Sequence, residues 1–450
     1  MKKSLIKAGA ALALGCCLAG TVAGCAGGTA SDEITFYHYA VTNSLTTQLE
    51  QKLAGFTEST GIKVKRVAIS KDNYKATVST KFTSSKKDMD VLYLDQPLLA
   101  QYANSNLLYK LDDFVTTSSE DAETVAVENS VGFKFNKNAF NESAWATTVY
   151  KNSVYGIPLT INTSVLFYNV ATIKEACGLS TDDEAVAKVE GIKTWSDLKA
   201  FANEINGLGT KYALFGGMGS GGYTGWYSQC FIGAAGGRLY DENTKTVLPD
   251  EDGSVRRAFD MIKYMFDNSP EALYNSSSGF TGTTTAPAGK VLFSLSHSSD
   301  IKDFDVAYTT FGAIPFPGET AEIGSVSNLG GENLVIANKS EKKEASLKLI
   351  KYLVSGDCMS FFQTCTNNFA AVNKYATVDT FSTDKTSPAY KMYSVVKTQL
   401  ASAQVRPVVA GWMNVNDNGI PVNLKAYVDG KKSYDDALGT IRAYAAEHLK

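Results

Sequence analysis

Apolar residues recur along the chain with two periods, near 2 and near 3.6, and their alternation predicts its elements. Ile34-Thr35-Phe36-Tyr37-His38-Tyr39 reads as a strand. Leu45, Leu49, Leu53 and Phe56 then share one helical face, with Asn43 or Ser44 as the capping residue and Gly61 as the stop. Ile62 to Ile69 reads as a second strand, and Tyr74, Val78 and Phe82 mark a second helix. Val91-Leu92-Tyr93-Leu94 is a continuous apolar run, the pattern of a strand buried on both faces. Strand, helix, strand, helix, strand predicts an open α/β sheet.

The pattern resumes after Tyr155-Gly156-Ile157-Pro158-Leu159, with a strand from Thr163 to Tyr168. Thr194-Trp195-Ser196-Asp197-Leu198 opens a helix, with Thr194 as cap and Asp197 at the capping-box position. Tyr212 to Phe215 reads as a strand and Val255 to Phe266 as a helix. Ala345, Leu349, Tyr352 and Leu353 define another helical face, and Tyr434, Leu438, Ile441, Ala445 and Leu449 the last. There are no internal repeats. No linker separates self-contained halves, so a chain long enough for two domains is expected to cross between them several times.

The N-terminus departs from this pattern. Lys2, Lys3 and Lys7 precede an apolar stretch from Ala8 to Ala19 and then Val22-Ala23-Gly24-Cys25. A basic start, a short apolar run and a small-residue cleavage site form a secretory signal peptide. The apolar run falls short of the roughly 20 residues that span a bilayer. Small-small-Cys is similar to a lipobox, which implies that Cys25 becomes the first mature residue and carries a diacylglycerol. Ala26-Gly27-Gly28-Thr29-Ala30-Ser31 has the composition of a linker.

Composition narrows the function. Hydrophobic content of 44% with 20% charged residues fits a soluble globular body. Net charge is −3 and no Lys/Arg run follows the signal, which argues against nucleic acid. Of the seven cysteines, Cys177, Cys230, Cys358 and Cys365 lie beyond the anchor. Cys358 and Cys365, seven apart on a helix, would sit about 10.5 Å from each other, too far to bridge. Buried thiols are expected, with a Cys177–Cys230 bridge left open.

Several motifs invite catalytic readings. Gly217-Met218-Gly219-Ser220-Gly221-Gly222 satisfies G-x-G-x-x-G after a strand, yet no second dinucleotide signal supports it, so a flexible or close-approach loop is expected. Asn414-Val415-Asn416-Asp417-Asn418-Gly419 imitates a calcium loop, but its twelfth position is Lys425, so a polar turn is expected. The acidic clusters Asp112-Asp113, Asp182-Asp183-Glu184 and Asp250-Glu251-Asp252 read as solvated turns and caps. His38, His297 and His448 occupy no metal or nucleophile frame. No enzyme and no cofactor are expected.

From Glu33 onward the chain resembles the family 1 extracellular solute-binding proteins of ABC importers, the class that includes maltose-binding proteins. The resemblance rests on Asp90–Asp95, Leu107–Phe114 (the family's "L-x-x-L-D-D-F"), Tyr155–Asn169, Thr194–Leu198 ("T-W-x-D/E-L"), Ala234–Gly237 ("A-x-G-G") and Gly330–Ile336. It implies a periplasmic-binding-protein-like type II α/β fold of two lobes joined by a hinge. On this reading residues 1–24 are the signal and 25–32 the anchor and linker. Residues 33–160 with 314–356 form one lobe, and 161–313 with 357–450 the other. Crossings are expected near Thr160–Thr163, Ala313–Pro315 and Ser355–Cys358.

The same resemblance implies a lipid-anchored, monomeric binding protein on the outer face of the cell membrane. It would capture a small solute, in the first place a sugar or oligosaccharide, and deliver it to ABC permease subunits. A polyamine, metal or phosphorylated solute, or a non-transport glycan receptor, are the alternatives. Only six arginines argue against phosphate clamps. An aromatic content of 11%, with 23 tyrosines, suits sugar faces that stack on rings. The implied ligand residues are Tyr37, His38 and Tyr39; Asp95; Tyr223, Trp226 and Tyr227; His297 and Ser298; Glu332; and Trp412 in the late "R-P…W" segment after Arg406-Pro407. Packing is the competing role for each aromatic residue; Trp195 is assigned to packing and Trp145 to neither. The family's "G-x-W" is replaced here by Ser296-His297-Ser298-Ser299, so one common ring is missing.

Overall fold

The computed structural model describes residues 33–39, 45–119, 121–130, 132–270, 290–301 and 311–449. The signal, Cys25 and the capping candidates Asn43 and Ser44 lie outside these residues.

Strand β1 (Glu33–His38), helix α1 (Thr46–Thr60), β2 (Lys63–Ala68), α2 (Lys71–Thr83) and β3 (Val91–Asp95) follow the apolar pattern closely. Helix α1 buries Leu49, Leu53 and Phe56, and Gly61 ends it in the left-handed region at φ 75°, where a glycine carries no Cβ penalty. Helix α2 buries Tyr74, Val78 and Phe82. Strand β3 is buried on both faces as far as Leu94.

Strand β4 (Ile157–Asn169) is thirteen residues long and buried almost throughout. Helix α3 (Trp195–Asn203) opens with the expected reciprocal cap, in which Thr194 N–H donates to Asp197 Oδ2 at 2.8 Å and Asp197 N–H to Thr194 Oγ1 at 3.2 Å. There follow β5 (Ala213–Phe215), α4 (Gly222–Ala234), α5 (Ser254–Asp267), β6 (Val291–His297), β7 (Phe311–Ile314) and β8 (Ser327–Ile336). Helices α6 (Lys343–Leu353), α7 (Gly356–Thr366), α8 (Pro388–Leu400) and α9 (Tyr434–His448) complete the elements used below.

One sheet of ten strands runs through the molecule, with the order β5-β6-β4-β8-β3-β1-β2 along its main path. Strand β4 changes partners along its length. Ile157 to Thr163 pairs antiparallel with β8, and Ser164 to Tyr168 pairs antiparallel with β6. The chain therefore passes from one lobe to the other between Thr163 and Ser164, at the edge of the first expected crossing. Two apolar regions flank this point. One gathers α1, β1, β3, α6 and α7; a satellite cluster below it holds Tyr74, Val78, Leu92 and Leu94. The other gathers α3, β5, α4, α5, β6 and α9.

The remaining crossings differ from the expected ones. Ile314 and Phe316 are buried with the second lobe, and Glu319 pairs with Arg257 of α5 at 2.7 Å. The chain returns only where β8 begins at Ser327, well beyond Ala313–Pro315. No crossing occurs at Ser355–Cys358. Helix α7 starts there and buries Met359 and Phe362 in the first lobe, with Phe362 6.3 Å from Tyr93. Helix α8 packs on β4 and β7 across the junction. The last return follows Ala403–Gln404, and the chain is back in the second core by Trp412. Periodicity marks elements, while the lobe that an amphipathic helix joins is set by tertiary packing.

All four described cysteines are free thiols, so Cys177 and Cys230 form no bridge. The Asn414–Gly419 segment forms a helical turn with Asn416 buried, in place of an exposed polar turn.

Trp412 corrects a further expectation. It is fully buried in the second core, so its ring is a packing element and lines no cleft. Removing it leaves a large cavity in a region with little room to collapse. Trp412→Ala is expected to destabilise the protein by about 3–5 kcal/mol, read from the denaturant midpoint. An unchanged midpoint would return Trp412 to the surface.

Candidate functional site

Strands β3, β4 and β8 bring their functional residues to one place at the carboxyl end of β3. Glu332 of β8 is opposite Asp95 on one side and Thr160 on the other. Just beyond Glu332 the β8–β4 register slips by one residue, leaving Leu159 as the extra one. Such a bulge turns side chains at a strand edge and belongs beside functional positions. Thr160 Oγ1 donates to Glu332 Oε2 at 2.6 Å, and the Tyr39 hydroxyl donates to Oε1 at 3.4 Å.

The second lobe contributes Trp226 from α4. Its ring lies over Gly330, where an added Cβ would stand 1.9 Å from Trp226 Cη2 and 2.3 Å from Asn162 Oδ1. Only glycine fits there. The Trp226 indole N–H donates to Ser164 Oγ at 3.1 Å, which holds the ring at the crossing. The Arg406 guanidinium lies 4.6 Å from the ring centre and donates to Asp95 Oδ1 at 2.9 Å. Arg406 thus ties the indole of one lobe to the carboxylate of the other. His297 ends β6, with its ring 6.3 Å from Trp226 and 6.5 Å from Tyr223.

Charges on the two walls oppose each other. Burial works against the Lys71 ammonium, but Tyr223, Asp95 and Glu332 outweigh it and hold its pKa above the ordinary value. Burial raises the Glu332 carboxyl; Thr160 lowers it, Asp95 raises it further and Lys71 lowers it. Burial also raises Asp417, which feels Lys75, Asp95 and Arg406. Burial lowers the His297 pKa, with Asp300 opposing and Lys71 adding to the shift. Lys71, Lys75 and Arg406 therefore act on Asp95, Glu332 and Asp417, and Asp300 adds a further carboxylate 3.8 Å from His297 Nδ1.

Six of the implied residues meet in this cleft: Tyr39, Asp95, Tyr223, Trp226, His297 and Glu332. Five do not. Tyr37 is buried, and its hydroxyl reaches back to Asp88 O at 3.4 Å. His38 is buried against Phe36 and Arg66, with its pKa lowered to about 4 by burial and then by Arg66. Tyr227 and Trp412 are core residues of the second lobe. Ser298 is buried and donates to Asn368 Oδ1 at 3.2 Å, one step behind the cleft. Trp145 and Trp195 both pack in cores.

The sequence reading missed Lys71, Gln96, Asn162, Arg406 and Asp417. Gln96 is buried with neither atom of its amide paired, and Asn162 Oδ1 and Arg406 Nε are also buried without a partner. A polar residue directly after a buried apolar strand was the available signal for Gln96. The glycine-rich loop precedes α4 as a dinucleotide loop would, but the Asp417 carboxylate lies 2.7 Å from where a Cβ on Gly222 would be. An acidic group already occupies the helix start that a phosphate would need.

Residues 40–356 match the profile of a family described as bacterial extracellular solute-binding protein. A search of curated protein sequences found no match. Among solved structures, the chain is similar to the GacH receptor of Streptomyces glaucescens, solved unliganded and with acarbose, at 21% identity, 93% coverage of this chain and 98% of that one, with a TM-score of 0.67. It is also similar to the sugar-binding protein MalE of Xanthomonas citri, at 18% identity, 92% and 98% coverage and a TM-score of 0.72. The cyclic α-maltosyl-1,6-maltose binding protein of Arthrobacter globiformis gives 17% identity, 92% and 98% coverage and a TM-score of 0.72.

Glu332 provides a test of the electrostatics. Its folded pKa is raised, so the cost of burying the carboxylate is fully present above that pKa and is relieved as pH falls into the ordinary carboxylate range. Glu332→Gln keeps an acceptor for Thr160 and removes the charge. Its melting temperature is expected to exceed wild type by about 1–3 °C at neutral pH, with the gain vanishing near about pH 4. A gain that grows toward acid would reverse the sign of the assignment.

Proposed function

The chain belongs to the bacterial extracellular solute-binding proteins, and from that premise we propose that it captures a neutral carbohydrate between its lobes and hands it to an ABC importer unaltered. The observation that carries this reading is the company Trp226 keeps. A partly exposed indole stands beside buried, unpaired atoms of Asn162 and Arg406, and the unpaired amide of Gln96 belongs to a residue whose backbone N–H donates to Gly331 O at 3.3 Å, next to Gly330 under the ring. A sugar offers an apolar face for the ring and hydroxyls that donate and accept, which together answer those groups. The cleft sets cations and carboxylates side by side, so an ionic solute of either sign would meet like charges, which favours a neutral ligand. The similar proteins, solved with acarbose or named for a sugar or a cyclic maltosyl-maltose, agree with this class.

Capture follows from closure. Ligand contacts with Asp95, Gln96 and Glu332 on one wall and Trp226, Tyr223 and His297 on the other favour the closed form by their differential affinity. Lys71 of the first lobe already reaches Tyr223 of the second. Permease subunits would recognise the closed lobes. The lipobox-like Val22-Ala23-Gly24-Cys25 supports export and a diacylglycerol anchor on the outer face of the membrane.

Thermal-shift screening against mono- and oligosaccharides is expected to find a sugar that raises the melting temperature. Trp226→Ala should weaken that sugar at least tenfold while the far-ultraviolet circular dichroism stays native. A panel with no stabilising sugar removes the carbohydrate reading, and unchanged affinity in Trp226→Ala removes the ring. Cys25→Ser should move the protein from the membrane fraction to the medium; retention at the membrane would exclude the anchor.

A further inference from the structure

A second cavity, of about 890 Å³, lies between the lobes and contains none of the cleft residues above. Its walls are two hairpins and the last helix. The first lobe contributes Val149 to Asn152, the turn between Val149–Tyr150 and Ser153–Val154. The second contributes residues from Tyr240 to Val247, together with α9. Val408 and Val409, on the segment that links Arg406 to Trp412, close the floor. Its volume is that of a small-molecule site.

The lining is apolar below and cationic at the rim. Val149, Val247, Val408, Val409, Ala445 and Leu449 supply the apolar surface. Lys151, Lys245, Arg442 and Glu242 supply the charges, and Glu242 is taken by Lys245 at 3.3 Å. Lys151 Nζ donates to Asn104 Oδ1 at 3.0 Å and stands 5.1 Å from the Tyr150 ring centre. Arg442 donates to the carbonyls of Val247 and Leu248 at 3.1 and 2.6 Å. Both sets of partners are neutral. Among the described residues, neither Lys151 nor Arg442 has a carboxylate partner within 4.0 Å.

Backbone strain gathers at the same place. Six described non-glycine residues have positive φ, and Lys151 (47°), Asn152 (62°) and Lys245 (57°), half of them, line this cavity. A lysine in this region costs roughly 1–2 kcal/mol relative to the right-handed one, whereas asparagine adopts it readily, and hairpin turns of this kind favour Asn and Gly. The chain instead places lysines on both facing turns, which sets an ammonium at each side of the mouth. Strain at facing positions around a cavity points to a ligand role.

We propose that this cavity is a second ligand site, taking a small amphiphile with a single anionic head and an aliphatic body. The body lies on the valines and Leu449, and the head meets Lys151 and Arg442 at the rim. A sugar is a poorer occupant, because the Lys151 ammonium already covers the Tyr150 ring.

Titration calorimetry with decanoate, held below its micelle concentration, tests the site on the purified protein. One saturable site is expected, with 1-decanol binding at least tenfold more weakly. Lys151→Gln, on an exposed turn, should weaken decanoate at least fivefold. Ala446 is exposed on α9 at the cavity wall, so Ala446→Trp fills the space without touching a core and should abolish binding while the melting temperature is kept. Absence of saturable decanoate binding, equal binding of decanol, or undiminished binding in Ala446→Trp would each overturn the proposal.

Discussion

The molecule turns on the antiparallel pairing of β4 with β8 where both pass between the lobes. The strands are buried there, so their polar groups find partners inside the protein, Asn162 Oδ1 excepted. Thr163 Oγ1 donates to Asn328 O at 2.7 Å, and Ser164 N–H to Asn328 Oδ1 at 3.1 Å. Ser327 Oγ donates to Ser164 O at 2.7 Å, and Asn328 Nδ2 to Trp226 O at 2.9 Å. Leaving one such group unpaired costs about 1–3 kcal/mol, so the network admits few alternative arrangements. The pivot is therefore specific in position, and the lobes on either side keep their own apolar cores.

That pivot also builds the cleft. Asn328 and Ser164 hold Trp226 at its backbone and its indole nitrogen, and Gly330 leaves the space its ring fills. The ring's other neighbour is Arg406, only 5% exposed, paired with an Asp95 carboxylate that is 34% exposed. A buried guanidinium without that carboxylate would be an uncompensated charge, so the pair is costly to break. Binding residues are thus fixed by groups whose first duty is to the hinge. Preorganisation of this kind reduces the entropy lost when a ligand is fixed in place.

Much of the scaffold was legible in the sequence because periodicity and capping act locally. The faces of α1 and α2, the buried run of β3 and the Thr194–Asp197 cap need only neighbours within a few residues. The cleft was legible in half. Tyr37, His38 and Tyr39 read alike, yet strand alternation sends His38 toward Phe36 and α1 and Tyr37 toward α2. Only Tyr39, beyond the last residue of β1, reaches Glu332. Lys71 and Arg406 look like surface charges in sequence, and their partners Asp95 and Tyr223 are distant along the chain. Their roles exist only once the sheet is assembled. The same holds for α7 and α8, whose amphipathic patterns say that they pack and leave open against which lobe.

Identity of only 17–21% to structures that cover more than nine-tenths of the chain separates two kinds of constraint. The sheet order and its crossings tolerate wide substitution, since apolar residues of suitable size fill a core in many combinations. The cleft does not inherit its ligand from that scaffold. In this chain His297 occupies the end of β6, and Trp412 lies deep in a core, so Trp226 is the single tryptophan available to the cleft. A cleft with one indole, an imidazole and Tyr223 offers a shorter aromatic surface than several stacked indoles would. On the reading proposed above, its selectivity rests on hydrogen bonds to Gln96, Asn162, Arg406 and Glu332. Because unpaired buried polar groups penalise an analogue that lacks the matching hydroxyl more than a lost methylene does, this arrangement favours discrimination among hydroxyl patterns over discrimination by length.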